Sequence, residues 1–398
     1  MTHVWTLAAL WLGLALAATM ISIWLGLASA LSEIVVGTVA QLVIGALIGA
    51  EALGAHEGWI TFVSGAGAIV LTFLAGAELD PVVLRSKLKE TGAVGVAGFV
   101  FPFLGCFAVA RFALHWAIGP SWLAGVALST TSVAVVYAVM LELGLNRTQF
   151  GKTILAACFI NDLLTVLALG LIFAPFTWRT AIFAAASVAA VFALPWATRW
   201  FFARFGGRPS EPEAKFLLLA LFGLGALASW AGSEPVLPAY LVGMALAGVL
   251  GGDHALVRRI RTLTFGLLTP FYFVRAGSFV SVPALIAAPA AFLILLAAKL
   301  TSKIIGVFPV TRLFANRPRE SAYTTLMMST GLTFGTISSL YGLTHHVIDQ
   351  AQYSLLVATV VGSAVIPTLI ANAFWLPHHL LPADQLGADD AVTGADAG

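Results

Sequence analysis

The chain has 398 residues, of which 60% are hydrophobic and 10% are charged, and its formal net charge is +2. Globular proteins carry about 25% charged residues, so this composition excludes a soluble enzyme or binding domain and indicates an integral membrane protein. Apolar stretches of roughly 20 residues recur along the chain, which is the length that an α-helix needs to cross about 30 Å of hydrocarbon. The alternating segments of about ten residues that form a membrane β-barrel are absent.

Polar and charged breaks divide the chain into thirteen candidate spans. The first begins directly after Met1–His3 without a basic segment, so we predict a membrane span and not a cleaved signal peptide. The two cysteines lie inside apolar segments, which excludes a disulfide framework. The predicted spans are 4–28, 31–50, 59–80, 91–114, 121–143, 150–174, 178–200, 214–232, 236–251, 259–280, 283–310, 320–341 and 351–376.

The Lys and Arg residues between the spans predict the topology, because cytoplasmic loops carry an excess of positive charge. On this map the loop Lys and Arg residues fall on one side of the membrane, and Arg111 and Arg179 alone fall near the other. We therefore predict a protein of the cell (inner) membrane with its N-terminus outside and its C-terminus in the cytoplasm. Residues 377–398 are acidic and rich in small residues, which predicts a disordered cytoplasmic tail.

An internal repeat relates the two halves of the chain. The segment LSTTSV at Leu128–Val133 has a counterpart, MSTGLT, at Met328–Thr333, which lies 200 residues later. This offset places spans one to six over spans eight to thirteen, and a shift of seven spans inverts the second copy in the bilayer. Inverted repeats are typical of transporters whose substrate site lies near the midplane. We therefore predict an all-α polytopic fold with an inverted repeat of six spans.

Both copies of this segment concentrate hydroxyl residues, with glycine in the second copy, at the centre of a span. Such residues favour a broken helix at membrane depth, although Ser and Thr also mediate ordinary helix packing. Two breaks at equivalent positions predict two crossing discontinuous helices. The ends of the half-helices and their freed carbonyl groups would then bind ions.

Span six carries Asp162 almost at its middle, in the run ILAACFINDLLTVLALG. A carboxylate at the bilayer centre costs about 2.5–3.5 kcal/mol on insertion scales, so it persists mainly where it lines a cavity or has a partner. Burial favours the protonated form, so Asp162 can hold a proton or, once ionised, a cation. Competition between the two ions at one site is sufficient for antiport. An aspartate that is only paired with a buried base is the structural alternative.

Two neighbours of this carboxylate are also candidate site residues. Adjacent helix positions point about 100° apart, so we expect one of Asn161 and Asp162 to face the ion and the other to support it. Cys158 lies one turn before Asp162 on the same face and is a candidate ligand. A thiol is a weak ligand for an alkali cation, however, and the role of a small buried hydrophobic residue is favoured.

Three basic residues and one further acid complete the set of candidates. Arg275 in span ten stays charged and needs an acidic partner or a watery pocket. In span eleven, Lys299 is nearer the centre and is favoured as the partner of the Asn161 region, whereas Lys303 is expected to snorkel toward the inner face. Glu78, near the cytoplasmic end of span three, is either a supporting acid or a solvated one. The partner of Asn161 among Glu78, Arg275 and Lys299 stays open.

Several runs together resemble the monovalent cation:proton antiporter superfamily, and within it the Kef-type and sodium/proton exchanger membrane domains. Their order and spacing, over spans two to thirteen, make the resemblance specific. The runs are ELDP from Glu78, STTSVAVVYAV from Ser129, the Asn161–Asp162 pair, TPFYFVRAG from Thr269 and KLTSKIIGV from Lys299.

The resemblance implies a homodimer in which a mobile core moves, like an elevator, against a dimerisation or scaffold domain. We assign residues 1–376 to one transmembrane unit. The core would comprise about 59–174 and 259–376, and the scaffold about 1–58 and 178–251. By the same resemblance Asp162 would bind the proton and the cation, and Thr130, Thr131 and Ser132 would supply ligating oxygens. No cofactor is implied.

Members of this superfamily with an Asn-Asp pair are usually electroneutral, so the resemblance implies exchange of one Na⁺ or K⁺ for one proton by alternating access. The chain departs from the pattern in three places. Thr130–Thr131–Ser132 stands where sodium-type exchangers often have Thr-Asp-Pro, and Cys158 stands where they often have a hydroxyl. Lys299 resembles the lysine that electrogenic members pair with a first aspartate, which is missing here.

A potassium efflux channel or transporter and a sodium-coupled organic solute symporter are the alternative functions. The chain has no TVGYG-like filter, and a symporter would have more polar residues along the crossing helices. An intramembrane protease would need a second aspartate at mid-span or a Ser–His pair in the bilayer, so an enzyme is not predicted. The expected partners are Na⁺ or K⁺, H⁺ and the lipid bilayer, and no nucleic acid. Selectivity between Na⁺ and K⁺ depends on cavity geometry and is not predicted.

Overall fold

The structure is a computed structural model that describes residues 2–25, 28–49, 51–77, 87–173, 177–233, 235–250, 254–314 and 316–381. All regular structure within these ranges is helical, which confirms the predicted all-α fold. Ten helices in the described ranges are long and apolar enough to cross a membrane, some of them continued through a break or a π-helical turn. The chain is therefore a multi-pass membrane protein, and the number of crossings stays a prediction.

The helices lie close to the predicted spans, and the two spans with hydroxyl-rich centres are each divided into two helices. Short π-helical turns follow α4 and α17 and separate α11 from α12. The helices are α1 Thr2–Leu25, α2 Ser29–Leu47, α3 Gly58–Ala77, α4 Leu88–Ala108, α5 Ile118–Ser129, α6 Val133–Glu142, α7 Gln149–Phe173, α8 Trp178–Phe205, α9 Pro212–Trp230, α10 Val236–Leu250, α11 His254–Leu263, α12 Thr269–Ser278, α13 Val282–Ala287, α14 Pro289–Leu313, α15 Pro318–Met328, α16 Thr333–Thr344 and α17 Gln350–Ile370.

The chain divides into two compact units. Unit 1 comprises Met1–Pro81, Val166–Ala287 and Asp349–Ser354. Unit 2 comprises Val82–Thr165, Ala288–Ile348 and Leu355–Gly398. The predicted core contains α3, α11 and α12, which belong to unit 1 by their contacts. The assignment of a mobile core and a scaffold stays a prediction, because it concerns movement.

Unit 1 is held together by glycines at close helix crossings. A Cβ on Gly37 of α2 would collide with the carbonyl of Val274 in α12, and a Cβ on Gly277 would collide with that of Ile34. Thr38 adds a hydrogen bond of 3.0 Å from its Oγ1 to the Gly277 carbonyl. Small residues let membrane helices approach closely, and hydroxyl groups then bond across them. The α2–α12 pair therefore packs backbone against backbone.

In unit 2, glycines likewise allow α4 to pack closely against α7. A Cβ on Gly95 would lie 2.7 Å from Ile160 Cβ and 2.9 Å from the Ala157 carbonyl. One turn later, a Cβ on Gly98 would lie 3.4 Å from Asn161 Nδ2 and 3.0 Å from Met328 Cε. These contacts fix the position of α7, which carries the predicted ion site, within unit 2.

Some of the segments for which the sequence made predictions lie outside the described residues. They include Glu78, with the ELDP run, and residues 382–398 of the predicted tail. The first residues of that tail are described, and His378–Leu380 form a short 3₁₀ turn.

Candidate functional site

The two helix breaks contact each other in unit 2. The backbone N–H of Ser132 donates to the Thr330 carbonyl at 3.1 Å, and Thr131 Oγ1 donates to the Met328 carbonyl at 2.8 Å. Thr130 and Ser132 have extended backbones, so α5 ends before them and α6 begins after them. The predicted discontinuous helices are therefore present, and two hydrogen bonds join them at the breaks.

Hydroxyl side chains satisfy the carbonyl groups that the breaks expose. Ser129 Oγ donates to the Val126 carbonyl at 2.8 Å, and Thr130 Oγ1 donates to the Ala127 carbonyl at 3.1 Å. In α15, Thr330 Oγ1 donates to the Met327 carbonyl at 2.8 Å. A hydroxyl group has one donor and two acceptor lone pairs. Because the donors are used inside the helices, the lone pairs of these oxygens are left to accept bonds or to ligate a cation.

Asp162 and Asn161 are both buried in α7, with exposures of 1% and 0%. Asn161 Nδ2 donates to the Ser129 carbonyl at 3.3 Å, so this side chain faces the C-terminal end of α5. The Oδ1 atoms of Asp162 and Asn161 have no hydrogen-bonding partner among the described residues. A buried polar atom without a partner costs about 1–3 kcal/mol, and more when charged. Two such oxygens on adjacent residues leave open positions for a proton or a cation.

The basic partner of this region is Lys303 and not, as the sequence favoured, Lys299. Lys303 is fully buried, and its Nζ donates to Thr131 Oγ1 at 2.9 Å. It also interacts electrostatically with Asp162. The expectation that Lys303 snorkels to the inner face was wrong, because its ammonium group finds an acceptor at the first break. Lys299, one turn earlier on α14, is also fully buried and lies beside Gly331 at the second break.

Cys158 is fully buried, and its thiol donates to the thioether sulfur of Met328 at 3.6 Å. The sulfur of methionine is a weak acceptor, so this contact is one between two soft, apolar groups. Soft sulfur ligands do not suit alkali cations, which prefer oxygen. The contact is that of a small buried hydrophobic residue, and the role of Cys158 as a ligand stays a prediction.

Arg275 lies in unit 1 and makes its own contacts there. Its Nε donates to the Ala55 carbonyl at 2.8 Å, and its guanidinium carbon lies 5.1 Å from the centroid of the Phe279 ring. A backbone carbonyl and an aromatic face are both suitable partners for a guanidinium group. Its supporting role in transport stays a prediction, as does that of Glu78, which lies outside the described residues.

Residues 13–375 match the family described as "Sodium/hydrogen exchanger, transmembrane". The chain belongs to the sodium/hydrogen exchanger family. This match confirms the predicted resemblance to the monovalent cation:proton antiporter superfamily. The members of this superfamily are transporters.

Curated relatives of this chain are named as antiporters from bacteria, archaea and plants. The Na(+)/H(+) antiporter of Enterococcus hirae is 26% identical over 361 residues, which cover 84% of this chain and 91% of that protein. The cation/H(+) antiporter 18 of Arabidopsis thaliana is 25% identical over 370 residues, or 85% of this chain and 46% of that protein. The chain thus spans less than half of the plant relative and most of the bacterial one.

A solved structure shares the fold of this chain. It is the structure of the sodium proton antiporter MjNhaP1 from Methanocaldococcus jannaschii at pH 8. The TM-score is 0.71 at 16% sequence identity, and the match covers 96% of this chain and 98% of that one. At this identity the likeness concerns the fold alone, and it confirms the fold class.

The sequence missed two residues of this site in the exchanger. Lys303 was one of the intramembrane bases but was not favoured as a partner of this region, although its spacing of four residues from Lys299 places both on one helix face, which was the available signal. Ser363 of α17 was not singled out, yet its Oγ lies 3.3 Å from the position of a Cβ on Gly331. No sequence signal marks Ser363, since serine is common in membrane helices.

Proposed function

We propose that this exchanger moves one Na⁺ or K⁺ against one proton, and that Asp162 binds each ion in turn. The observation that carries the proposal is a fully buried carboxylate with an unpartnered oxygen, whose neighbour Asn161 bonds to the end of α5 at the first helix break, where hydroxyl oxygens have free lone pairs. Hard cations prefer such oxygen ligands. The antiporters among the relatives of the chain support the same chemistry.

In the proposed cycle Asp162 is protonated on one side of the membrane and ionised on the other. The ionised form holds the cation with the oxygens of Thr130, Thr131 and Ser132, and Asn161 supports the site through its bond to α5. Because one carboxylate cannot hold both ions, release of one is required before the other binds. Alternating access of this one site to the two sides completes the exchange.

We further propose that the exchange is electroneutral and that the protein is a homodimer of the cell (inner) membrane, with its N-terminus outside and its C-terminus in the cytoplasm. The stoichiometry is supported by Asn161, which by the resemblance stands where electrogenic members of the superfamily carry the first of two adjacent aspartates. The orientation is supported by the positive charges of the loops. The core and scaffold domains predicted from the resemblance belong to the same proposal.

The test is cation-induced dequenching of a pH-sensitive dye in proteoliposomes. Asp162→Asn keeps the size of the side chain and removes its charge, so we expect exchange to be abolished. Asp349→Asn is the matched control, because it makes the same change at an exposed residue. Exchange that survives Asp162→Asn would refute the proposal.

The same assay addresses stoichiometry and selectivity. An imposed membrane potential leaves the rate of one-for-one exchange unchanged, whereas a rate that follows the potential would mean that net charge moves. A series of Li⁺, Na⁺, K⁺ and Rb⁺ at fixed pH then identifies the preferred cation.

A further inference from the structure

A small cavity in unit 2 has no role in the proposed exchange. Its volume, about 10 Å³, is enough for about one water molecule. At its rim lie Glu90 at the start of α4 and Asn316 between α14 and α15, and both are half-buried. The deeper lining is buried and includes one residue from each of four helices: Val94 of α4, Ala157 of α7, Thr311 of α14 and Thr324 of α15.

The rim of the cavity is polar and suits water. Asn316 Nδ2 donates to Glu90 Oε1 at 3.1 Å, and Lys87 Nζ donates to Glu90 Oε2 at 3.2 Å. Deeper inside, Thr311 Oγ1 donates to the Phe308 carbonyl at 2.8 Å, so its lone pairs are available to a water molecule. A buried water molecule is typically held by two to four polar groups of this kind. In the proposed orientation the rim faces the cytoplasm, because α4 and α15 begin beside loops that carry Lys and Arg.

One helical turn beyond the cavity, the same four helices meet in a single tight layer. The residues four positions from the buried lining residues, toward the site, are Gly98, Asn161, Val307 and Met328. A Cβ on Gly98 would have as its nearest neighbours Met328 Cε at 3.0 Å, Asn161 Nδ2 at 3.4 Å and Val307 Cγ2 at 3.6 Å. The layer therefore combines the amide that supports Asp162 with two apolar side chains, which both have an exposure of 0%.

The side chain of Met328 closes this layer. Its sulfur accepts a hydrogen bond from the thiol of Cys158 at 3.6 Å, and its Cε packs beside Gly98, which leaves the necessary room because it has no Cβ. A thioether is a weak acceptor, and the side chain of Val307 has no polar atom. A chain of water molecules that enters at the rim therefore ends at this layer, one turn before Asn161.

We propose that the cavity is a hydrated inlet from the cytoplasm and that Met328 and Val307 seal it from Asn161 and Asp162. The seal prevents a proton at Asp162 from passing through unit 2 into the cytoplasm while the site is open to the other side. Coupled exchange requires such a seal, because each ion has to cross with the movement of the site. This inference rests on the proposed function and deepens it, because it names the residues that keep the proton coupled to the cation.

The test is the proton leak of proteoliposomes under an imposed pH gradient, measured with a pH-sensitive dye in choline buffer without alkali cations. A permeant anion balances the charge. In Met328→Ala we expect the leak to rise at least about tenfold, since relief of one unsatisfied hydrogen bond along the path changes a rate by this factor. Met328→Leu fills a similar volume with apolar atoms and should leak like the wild type. Met140→Ala, the same change at a fully buried methionine of α6, is the control and should not leak.

Two double variants identify the route of the protons. Adding Asp162→Asn to Met328→Ala should abolish the leak, because the proton has to pass through the site. Adding Ala157→Val to Met328→Ala should reduce the leak, because two methyl groups then fill the cavity. A leak that persists in both double variants would show that protons cross elsewhere and would overturn the inference.

A further variant separates the seal from the folding of one protein. Val307→Ala opens the same layer with a smaller loss of packing and should also leak. Folded Met328→Ala or Val307→Ala protein that leaks like the wild type would overturn the inference, whatever Asp162→Asn does in the exchange assay. Cation-driven exchange that survives Asp162→Asn overturns the proposed function instead, and a leak that Ala157→Val blocks would still support the seal.

Discussion

Thr131 joins the two helix breaks to the buried lysine, so its hydroxyl group is the most informative one to remove. Thr131 Oγ1 accepts a hydrogen bond from Lys303 Nζ at 2.9 Å and donates one to the Met328 carbonyl at 2.8 Å. Valine has the same shape as threonine but can make neither bond. Thr131→Val therefore leaves a buried amine and a buried carbonyl without partners while the packing is preserved.

The energetic cost of Thr131→Val follows from the two hydrogen bonds that the substitution removes. A buried group that loses its partner costs about 1–3 kcal/mol, and bonds to charged groups contribute about 1.5–3 kcal/mol. Thr131→Val should thus reduce the free energy of unfolding by about 2 kcal/mol if Lys303 is neutral and by about 4 kcal/mol if it is charged. Thr131→Ser keeps both bonds and loses one methyl group, which costs about 0.8 kcal/mol.

The measurement is thermal unfolding in detergent of the wild type, Thr131→Ser and Thr131→Val. We expect the melting temperature to fall in that order, and we expect cation-driven proton exchange in proteoliposomes to fall most in Thr131→Val. A Thr131→Val protein that is as stable as Thr131→Ser would refute the reasoning. The hydroxyl group of Thr131 would then contribute no more to the free energy of unfolding than its methyl group does.

Two further predictions concern packing and access. Gly37→Ala should destabilise the protein, since its Cβ would collide with the Val274 carbonyl, whereas Gly13→Ala, with nothing within 4 Å, should be neutral or stabilising; thermal unfolding of both variants distinguishes them. Cys106 and Cys158 are fully buried, so a maleimide should label neither thiol in the folded protein and both after denaturation in SDS. Rapid labelling of the folded protein, measured by mass spectrometry, would contradict this burial.

The sequence alone was sufficient for the helical architecture. Membrane spans are read from composition and length, because each helix must satisfy its own backbone in the bilayer. The breaks were also predictable, since Thr130–Ser132 and Ser329–Gly331 combine hydroxyl groups and glycine at mid-span. Asp162 was evident for the same reason: a carboxylate at this depth is too costly to be incidental.

Only the tertiary structure decided which side chains meet at the site. The position of a lysine along its own helix does not reveal which neighbouring helix receives its amine. The centre of the span favoured Lys299 as the partner of the Asn161–Asp162 region, and yet it is Lys303 that bonds to the first break, because the packing brings Thr131 within hydrogen-bonding distance. Lys299 instead meets Gly331, a residue 32 positions away in the chain.

The same distinction applies to the oxygens of the site. The sequence located the hydroxyl groups of the breaks but not the groups to which they are hydrogen-bonded. In the structure the donors are satisfied within α5 and α15, which leaves lone pairs for a cation. Composition and spacing thus determined a helical membrane protein with a costly carboxylate and two helix breaks. Long-range packing determined the partners of each charged side chain. These partners could not be predicted from the sequence, because no local pattern encodes contacts between distant helices.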